Sequence, residues 1–205
     1  MLNLVFLVGL VVFALSSTYF YFAGRNKNSL NSAFLVSFVT LTSYVLMWQG
    51  KLTVVTEAGQ PIFWTRWLFY AVSCTLLMVE IAQVKGLQGG RLVELLYLTA
   101  IVMFTGYLAA RDLTAVRWIH FVISSLAYAL LVIKVLSVQT AASRWVNSYV
   151  FFGWTVFPIV FLLAPTGLGL IGAGVANLLY LVLDVYTKII FSIQLVRTSE
   201  GKVAE

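Results

Sequence analysis

Charged residues are scarce in this sequence of 205 amino acids. Asp, Glu, Lys and Arg make up only 10% of it, against about a quarter in soluble domains, and 61% of the residues are hydrophobic. Proline occurs three times, histidine once and cysteine once, at Cys74. A single cysteine excludes an intrachain disulfide and a cysteine-based metal cluster. The composition therefore excludes a soluble globular protein and indicates a chain whose main solvent is lipid.

The few charges are mostly positive, with a net charge of +6. Nucleic-acid binding would require these charges to form a basic cluster or stripe, and the sequence has neither. We therefore expect no nucleic-acid partner and attribute the excess to membrane topology.

Apolar runs separated by charge, glycine or proline predict an all-α membrane protein, a bundle of seven transmembrane helices with short loops. A single domain over residues 1–205 is expected, in contact with the lipid bilayer. The predicted spans are Leu4–Ala23, Leu30–Gln49, Phe63–Val84, Leu92–Ala110, Ala115–Val138, Trp145–Ala164 and Leu170–Val196.

The loops predict an orientation in the cell membrane. Connections on one side are rich in Lys and Arg, and the positive-inside rule places that side in the cytoplasm. The N-terminus is then outside and the C-terminus cytoplasmic. The longest outer connection, Gly50–Ile62, is expected to fold into a short hairpin. The basic positions on the cytoplasmic side are Arg25, Lys27, Lys85, Arg91, Lys134, Arg144, Arg197 and Lys202, against Lys51, Arg111 and Arg117 outside.

The seventh span contains an acid and an amine at membrane depth, where ionisable groups are costly and usually functional. Asp184 and Lys188 are four residues apart, so they lie on one helix face about one turn from each other. They could form a plain buried ion pair that fastens the last helix to the bundle. They could instead form a Schiff-base lysine with its carboxylate counterion, because a buried lysine amine can be neutral and attack an aldehyde.

The third span adds two further charges. Phe69, Ser73 and Glu80 fall within roughly 40° on one helical stripe, with Arg66 about 60° to one side. At 1.5 Å per residue, Arg66 and Glu80 are about 21 Å apart along the helix, with the arginine towards the outside. This face is a candidate proton route.

The sixth span places aromatic side chains at positions i, i+3 and i+7 around a helix-kinking proline. Such spacing alone is more typical of packing than of a binding site. A flat polyene could nevertheless lie against it if the lysine of the seventh span is opposite. The residues are Trp154, Phe157, Pro158 and Phe161.

These residues together resemble the microbial rhodopsins over the whole chain. The strongest matches are Leu183-Asp184-Val185 followed by Lys188, the stretch Pro61 to Trp67, and Trp154 with Phe157-Pro158. The resemblance implies all-trans retinal on Lys188, with Asp184 as counterion of the Schiff base. It also implies a retinal pocket that includes Tyr70, Trp154, Phe157, Pro158 and Phe161.

The third helix indicates which rhodopsins are most similar. Outward proton pumps carry an acidic acceptor where this chain has Phe69, and phenylalanine cannot accept a proton. The combination of Phe69, Ser73 and Glu80, with Cys74 beside the serine, resembles the schizorhodopsins. That resemblance implies a light-driven inward proton pump. The residues permit a mechanism in which Asp184 pairs with Arg66 and Glu80 assists proton release to the cytoplasm. It also implies a homo-oligomer, with a trimer expected.

Other functions fit the same residues. A sensory rhodopsin of this fold would absorb light and signal through a partner, and a retinal-free transporter would use Asp184 and Lys188 as a binding pair. A chloride pump is a weaker alternative, because Phe69 offers no hydrogen bond to an anion. We expect no enzymatic activity and no metal site, since no second ligand stands at a suitable spacing.

Overall fold

The structure is a computed structural model that describes residues 1–24, 31–138 and 144–195. It confirms the predicted class, because seven helices form a bundle within the described residues. Six of them are long and apolar enough to cross a membrane, and α2 is a shorter apolar helix. The helices are α1 (Leu2–Gly24), α2 (Ser32–Trp48), α3 (Thr65–Val84), α4 (Gly90–Arg111), α5 (Arg117–Ser137), α6 (Arg144–Leu163) and α7 (Ala173–Leu195).

The helix ends follow local chemistry. Asn31 caps α2, because its side chain accepts a hydrogen bond from the backbone N–H of Phe34 at 3.1 Å. The largest difference from the predicted spans is at α7, which begins at Ala173 rather than Leu170. Gly169 has a φ of +68°, a left-handed conformation that turns the chain before the helix starts.

The connection between α2 and α3 is the predicted hairpin. Strand β1 (Thr53–Val55) pairs antiparallel with β2 (Pro61–Phe63), and Val54 lies opposite Ile62. The hairpin lies at one end of the bundle, which we call the hairpin end. The start of α2 and the end of α3 mark the opposite end. Of the basic loop residues used to predict orientation, Arg25, Lys27, Arg197 and Lys202 lie outside the described residues.

The helices form a ring, in which side chains of α5 reach α6 through the Phe121–Phe161 and Tyr128–Thr155 contacts. Consecutive helices from α1 to α5 pack side by side, and α7 packs against both α1 and α6. The outer surface of this ring is strongly apolar, with large side chains such as Leu4, Tyr97 and Leu126 more than half exposed. A surface of this kind is unfavourable in water and favourable in lipid.

Two helices contain π-helical segments, Tyr149–Trp154 in α6 and Val185–Ile190 in α7. These segments face each other, because the Tyr149 hydroxyl donates a hydrogen bond to the backbone carbonyl of Thr187. A Cβ atom on Gly153 would lie 2.9 Å from a ring carbon of Tyr186, so glycine permits the close approach. Such segments are frequent at functional sites, and here one of them carries Lys188.

Candidate functional site

Asp184 is the centre of a buried polar cluster in the middle of the bundle. Its side chain is fully buried, and its two carboxylate oxygens accept hydrogen bonds from three donors. The Tyr70 hydroxyl donates to Oδ1 at 2.6 Å, while the Tyr44 hydroxyl and Arg66 Nη1 both donate to Oδ2 at 2.8 Å. A carboxylate can accept several hydrogen bonds at once, and these three donors use both of its oxygens.

Lys188 lies on the other side of this carboxylate. Its Nζ is 2.8 Å from Asp184 Oδ1, an ion pair in distance, but the contact lacks the angles of a regular hydrogen bond. The same nitrogen lies 3.5 Å from the centroid of the Tyr70 ring, and only 1% of Lys188 is exposed. The amine is therefore buried, close to an acid and not fully satisfied by the protein.

Arg66 is buried on the side of Asp184 that faces the hairpin end. Besides its bond to Asp184, its Nη2 donates to Asn177 Oδ1 at 3.0 Å, and its guanidinium lies 4.7 Å from the centroid of the Tyr180 ring. Among the described residues this cluster contains two cationic side chains, Arg66 and Lys188, and one acid. When both are protonated, the middle of the bundle has one excess positive charge.

The Tyr44 contact depends on a glycine of α1. A Cβ atom on Gly9 would lie 2.3 Å from two carbons of the Tyr44 ring, which is closer than atoms can approach. We expect Gly9→Ala to displace this ring, to weaken its hydrogen bond to Asp184 and to lower stability by about 1–3 kcal/mol, the usual cost of overpacking. Thermal unfolding measures this change. Gly90→Ala is the matched control, because nothing lies within 4 Å of the added atom; equal effects of the two changes contradict the prediction.

A large apolar cavity opens beside the Lys188 amine. It encloses about 800 Å³ of space free of protein atoms, part of it open to the surroundings. A cavity of this size, with a mostly apolar wall and a polar group at one defined position, is typical of small-molecule binding sites. An apolar aldehyde fits, since the wall would bury its carbon skeleton and the amine could form an imine with it. The predicted residues on the wall are Tyr70, Cys74, Trp154, Phe157, Pro158, Phe161 and Lys188.

The structure adds a wall from α4 and α5 that the sequence reasoning missed. Phe121 of α5 stacks on Phe161 of α6 with ring centroids 5.1 Å apart, and the Tyr128 hydroxyl lies 2.9 Å from Thr155 Oγ1. These side chains join α5 to α6 across the cavity. The signal for these residues in the sequence is weak, because α5 has no Asp, Glu, Lys, Arg or His near the middle of its span. The other lining residues missed include Trp67, Leu77, Met103, Gly106, Ser124, Ser125 and Thr187.

The remaining predicted residues of α3 do not line this cavity. Ser73 is buried, Phe69 is half-buried, and Glu80 lies towards the opposite end of the bundle. The side chain of Glu80 is 2% exposed and accepts a hydrogen bond from the Ser32 hydroxyl of α2 through Oε1, while its Oε2 has no partner among the described residues. Glu80 is thus a second buried acid, separate from the Asp184 cluster.

The space between the two acids is largely filled by hydrocarbon. Leu77, Met78 and Ile81 of α3 belong to a buried cluster that also contains Tyr149 and Trp154 of α6. The Tyr149 hydroxyl, which accepts from Trp154 Nε1 at 3.3 Å, adds a polar group to this cluster. Proton movement through it would need water or a change of side-chain position.

Tyr44, Asn177 and Ser32 are the polar partners that sequence reasoning did not identify. A tyrosine hydroxyl in an apolar helix usually has a hydrogen-bond partner, which is a usable signal. The chain has ten tyrosines, however, so this signal does not single out Tyr44. Among the described residues no group of three His, Cys, Asp or Glu side chains could hold a metal ion.

Comparison with known proteins gives consistent matches over nearly the whole chain. A sequence model of the family described as bacteriorhodopsin-like protein matches residues 1–200. Bacteriorhodopsin from Halobacterium salinarum is 27% identical over 179 residues, which cover 80% of this chain and 68% of that protein. Archaerhodopsin-3 from Halorubrum sodomense is 26% identical over 179 residues, covering 80% of this chain and 69% of that protein.

Solved structures also match almost the whole chain. The crystal structure of schizorhodopsin 4 has a TM-score of 0.89 and 36% sequence identity, and the match covers 96% of this chain and 98% of that one. The thermophilic rhodopsin from Rubrobacter xylanophilus has a TM-score of 0.85 and 24% identity, covering 96% of this chain and 95% of that one. The second match bears on the fold alone.

Proposed function

Because this chain belongs to the bacteriorhodopsin-like protein family, whose members bind retinal, we propose that it is a light-driven inward proton pump carrying all-trans retinal on Lys188. The observation that carries the proposal is the composition of the buried cluster. Among the described residues Lys188 has one carboxylate beside it, Asp184, and position 69 of α3 is occupied by phenylalanine rather than by a second acid. The similarity to schizorhodopsin 4 supports the same assignment.

The residues present fit the cofactor. Lys188 would hold retinal as a Schiff base, and Trp154, Phe157 and Phe161 would form an aromatic wall against its chain, with Tyr70, Cys74 and Pro158 completing the predicted contacts. When bound, retinal supplies absorption of visible light and a change of shape that reorients the imine N–H. A buried amine with an incompletely satisfied nitrogen suits this role.

Asp184 acts as the counterion and is a poor proton acceptor. Both of its oxygens already accept strong hydrogen bonds from Tyr44, Tyr70 and Arg66. These donors stabilise the anion, so protonation of Asp184 would break favourable contacts. A proton that leaves Lys188 Nζ therefore moves towards the other buried acid.

Glu80 is that acid. It lies at the opposite end of the bundle, where the Ser32 hydroxyl holds one oxygen and leaves Oε2 available. Ser73 and Cys74 lie on α3 between Lys188 and Glu80, and water beside them would carry the proton across the apolar cluster. Glu80 then assists release of the proton at the opposite end.

Inward transport requires the hairpin end to face outside. The loops at the opposite end contain more Lys and Arg than those at the hairpin end, which by the positive-inside rule places the opposite end in the cytoplasm. The N-terminus is then outside the cell and the C-terminus in the cytoplasm. Three further statements remain predictions from the sequence. They are a single retinal-binding domain over residues 1–205, a homo-oligomeric assembly that is expected to be a trimer, and the absence of enzymatic activity.

We expect Glu80→Gln to abolish light-driven inward transport while the visible absorption band is kept. Glutamine cannot take up a proton, and the site is separate from the Asp184 cluster that sets the colour. The measurement is the external pH of illuminated, retinal-fed cells, with and without a protonophore. Wild-type cells should make the medium more alkaline.

Glu94→Gln is the control for this change. Glu94 is about half exposed and pairs with Lys134 at 2.6 Å on the surface, so its loss should leave transport intact. Undiminished alkalinisation by Glu80→Gln would refute the role of Glu80. Acidification by the wild type would overturn the inward direction, and the absence of any pH change would favour a sensory rhodopsin.

A further inference from the structure

A second cavity lies between the cluster and the hairpin end. It measures about 330 Å³, is partly open and is bounded by β2, the start of α3, the α6–α7 connection and the start of α7. Four polar side chains line it: Arg66, Thr166, Asn177 and Tyr180. We call it the hairpin-end cavity. Among the described residues, this cavity adjoins Arg66 on the side that faces away from Lys188.

The cavity can hold water. Its lining supplies hydroxyl, amide and guanidinium groups, and buried water needs two to four such partners. Asn177 is 6% exposed and Thr166 is 8% exposed, so both are buried polar side chains on its wall. Asn177 also connects the cavity to the cluster, because its Oδ1 accepts from Arg66 Nη2 at 3.0 Å and its Nδ2 donates to the Ala173 carbonyl at 2.8 Å.

No carboxyl group lines this cavity. All residues of the hairpin end are described, and the two acids of its loops, Glu57 and Asp112, lie outside the lining. Asp112 accepts from the backbone N–H and the hydroxyl of Thr114 at 2.8 and 2.7 Å. These hydrogen bonds lower the pKa of Asp112 below its usual value, which makes it a poor proton donor near neutral pH.

The charged and titratable groups around the cavity are few. Arg66 from α3 and Tyr180 from α7 lie on the wall, with Asp184, Tyr44 and Tyr70 behind the arginine. From α5, Arg117 donates to the Gly167 carbonyl of the α6–α7 connection at 3.1 Å. The residues of β2 and of the α6–α7 connection that line the cavity contribute no titratable group.

We propose that the hairpin-end cavity is the uptake port of the pump, which supplies external protons through water without a carboxyl donor, and that Asn177 is a positioning residue for Arg66. This inference rests on the proposed function. In the step itself an N–H bond forms at the Lys188 nitrogen and an O–H bond of a water molecule breaks. That water regains its proton from the external solution.

The first test uses retinal-free protein and asks whether the cavity is reached by water. Thr166→Cys is made in a Cys74→Ser background, so the chain has one cysteine, and open membrane fragments are treated with a water-soluble thiol reagent. We expect modification at position 166, measured by mass spectrometry. Ser43→Cys in the same background is the control and should stay unmodified, because Ser43 is 1% exposed and does not line the cavity. If the cysteine at position 166 reacts as little as the cysteine at position 43, the cavity is not open to water and the proposed uptake port is wrong.

The second test measures recovery of the visible band after a flash in intact cells, at several external pH values with the internal pH held constant. Because no carboxyl group in the cavity holds a proton ready for transfer, the recovery rate should be proportional to the external proton concentration. It should show no plateau as the external pH is varied. Glu57→Gln and Asp112→Asn should behave as the wild type. If the recovery rate is independent of external pH while inward transport is intact, the cavity is not the uptake port, although the proposed pump function still holds. Loss of inward transport in the wild type overturns the proposed function instead.

Two substitutions on the wall sharpen the second test. Thr166→Asp places a carboxyl donor in the cavity, so recovery should become independent of external pH over part of the range. Asn177→Leu removes one hydrogen bond to the guanidinium and should slow recovery about tenfold, the factor expected for a bond to a charged group. Asn177→Gln should restore the rate, which a purely structural role of the residue would not predict. Unchanged pH dependence in Thr166→Asp and unchanged rate in Asn177→Leu contradict the proposal.

Discussion

Lys188→Ala eliminates the visible pigment: membranes that contain this variant and receive all-trans retinal develop no absorption beyond that of free retinal. The reason is chemical, because alanine has no amine with which an aldehyde can form an imine. In the structure Lys188 is the lysine on the wall of the large cavity, and its nitrogen lies 2.8 Å from a carboxylate oxygen. Absorption spectra of purified protein measure the effect.

Lys134→Ala is the matched control for the loss of a lysine. Lys134 is 40% exposed on α5 and pairs with Glu94 at the surface, so its removal should leave the visible band unchanged. Borohydride reduction followed by mass spectrometry would locate the retinal on position 188 of the unchanged chain. A covalent pigment of the same colour in Lys188→Ala would falsify the assignment, because retinal would then be attached to another residue. A colourless unchanged chain would favour the retinal-free alternative for the Asp184 pair.

Asp184→Asn should cause the largest loss of stability among single changes in the cluster. Removal of this carboxylate leaves Arg66 buried without a counter-charge, and arginine cannot give up its proton as a lysine can. Breaking a buried ion pair on one side typically costs about 3–5 kcal/mol. Asparagine keeps the size of the side chain, so packing changes little. Thermal unfolding of the retinal-free protein in one detergent measures the difference.

Glu94→Gln is also the control for this experiment. It removes the surface pair with Lys134, whose partners are 40% and 50% exposed, and should cost less than about 1 kcal/mol. The comparison separates the effect of burial from that of losing any acid. If Asp184→Asn unfolds at the same temperature as Glu94→Gln, the carboxylate is not what stabilises Arg66 in the bundle.

The features predicted from sequence are those set by local spacing. Hydropathy located all seven helices, and the hairpin between α2 and α3 was predicted from its strand-like residues and turn. Asp184 and Lys188 lie together because positions i and i+4 share a helix face. The same periodicity placed Trp154, Phe157 and Phe161 on one wall of the cavity. The resemblance to microbial rhodopsins, and among them to schizorhodopsins, is confirmed by the comparisons.

The features that were not predicted depend on which helices become neighbours. Tyr44 and Asp184 are 140 residues apart, and Ser32 and Glu80 are 48 residues apart. The periodicity of one helix cannot predict contacts between residues of different helices. The wall from α4 and α5 was missed for a different reason, since its serines and aromatic residues are ordinary in a lipid-facing span. Charged groups are rare at membrane depth, so they are much easier to recognise from the sequence than such residues are.

The excess positive charge in the middle of the bundle has a consequence for leakage. When Lys188 is protonated, Arg66 and Lys188 outnumber Asp184 by one charge within the described residues. Sodium and potassium ions would meet an electrostatic barrier there in addition to the cost of losing their hydration, as in pores where an arginine excludes cations. A proton on the Lys188 nitrogen is itself this surplus charge, so its departure removes the excess and does not add to it. In the proposed pump, the cluster would therefore oppose the leakage of metal cations that dissipates a membrane potential.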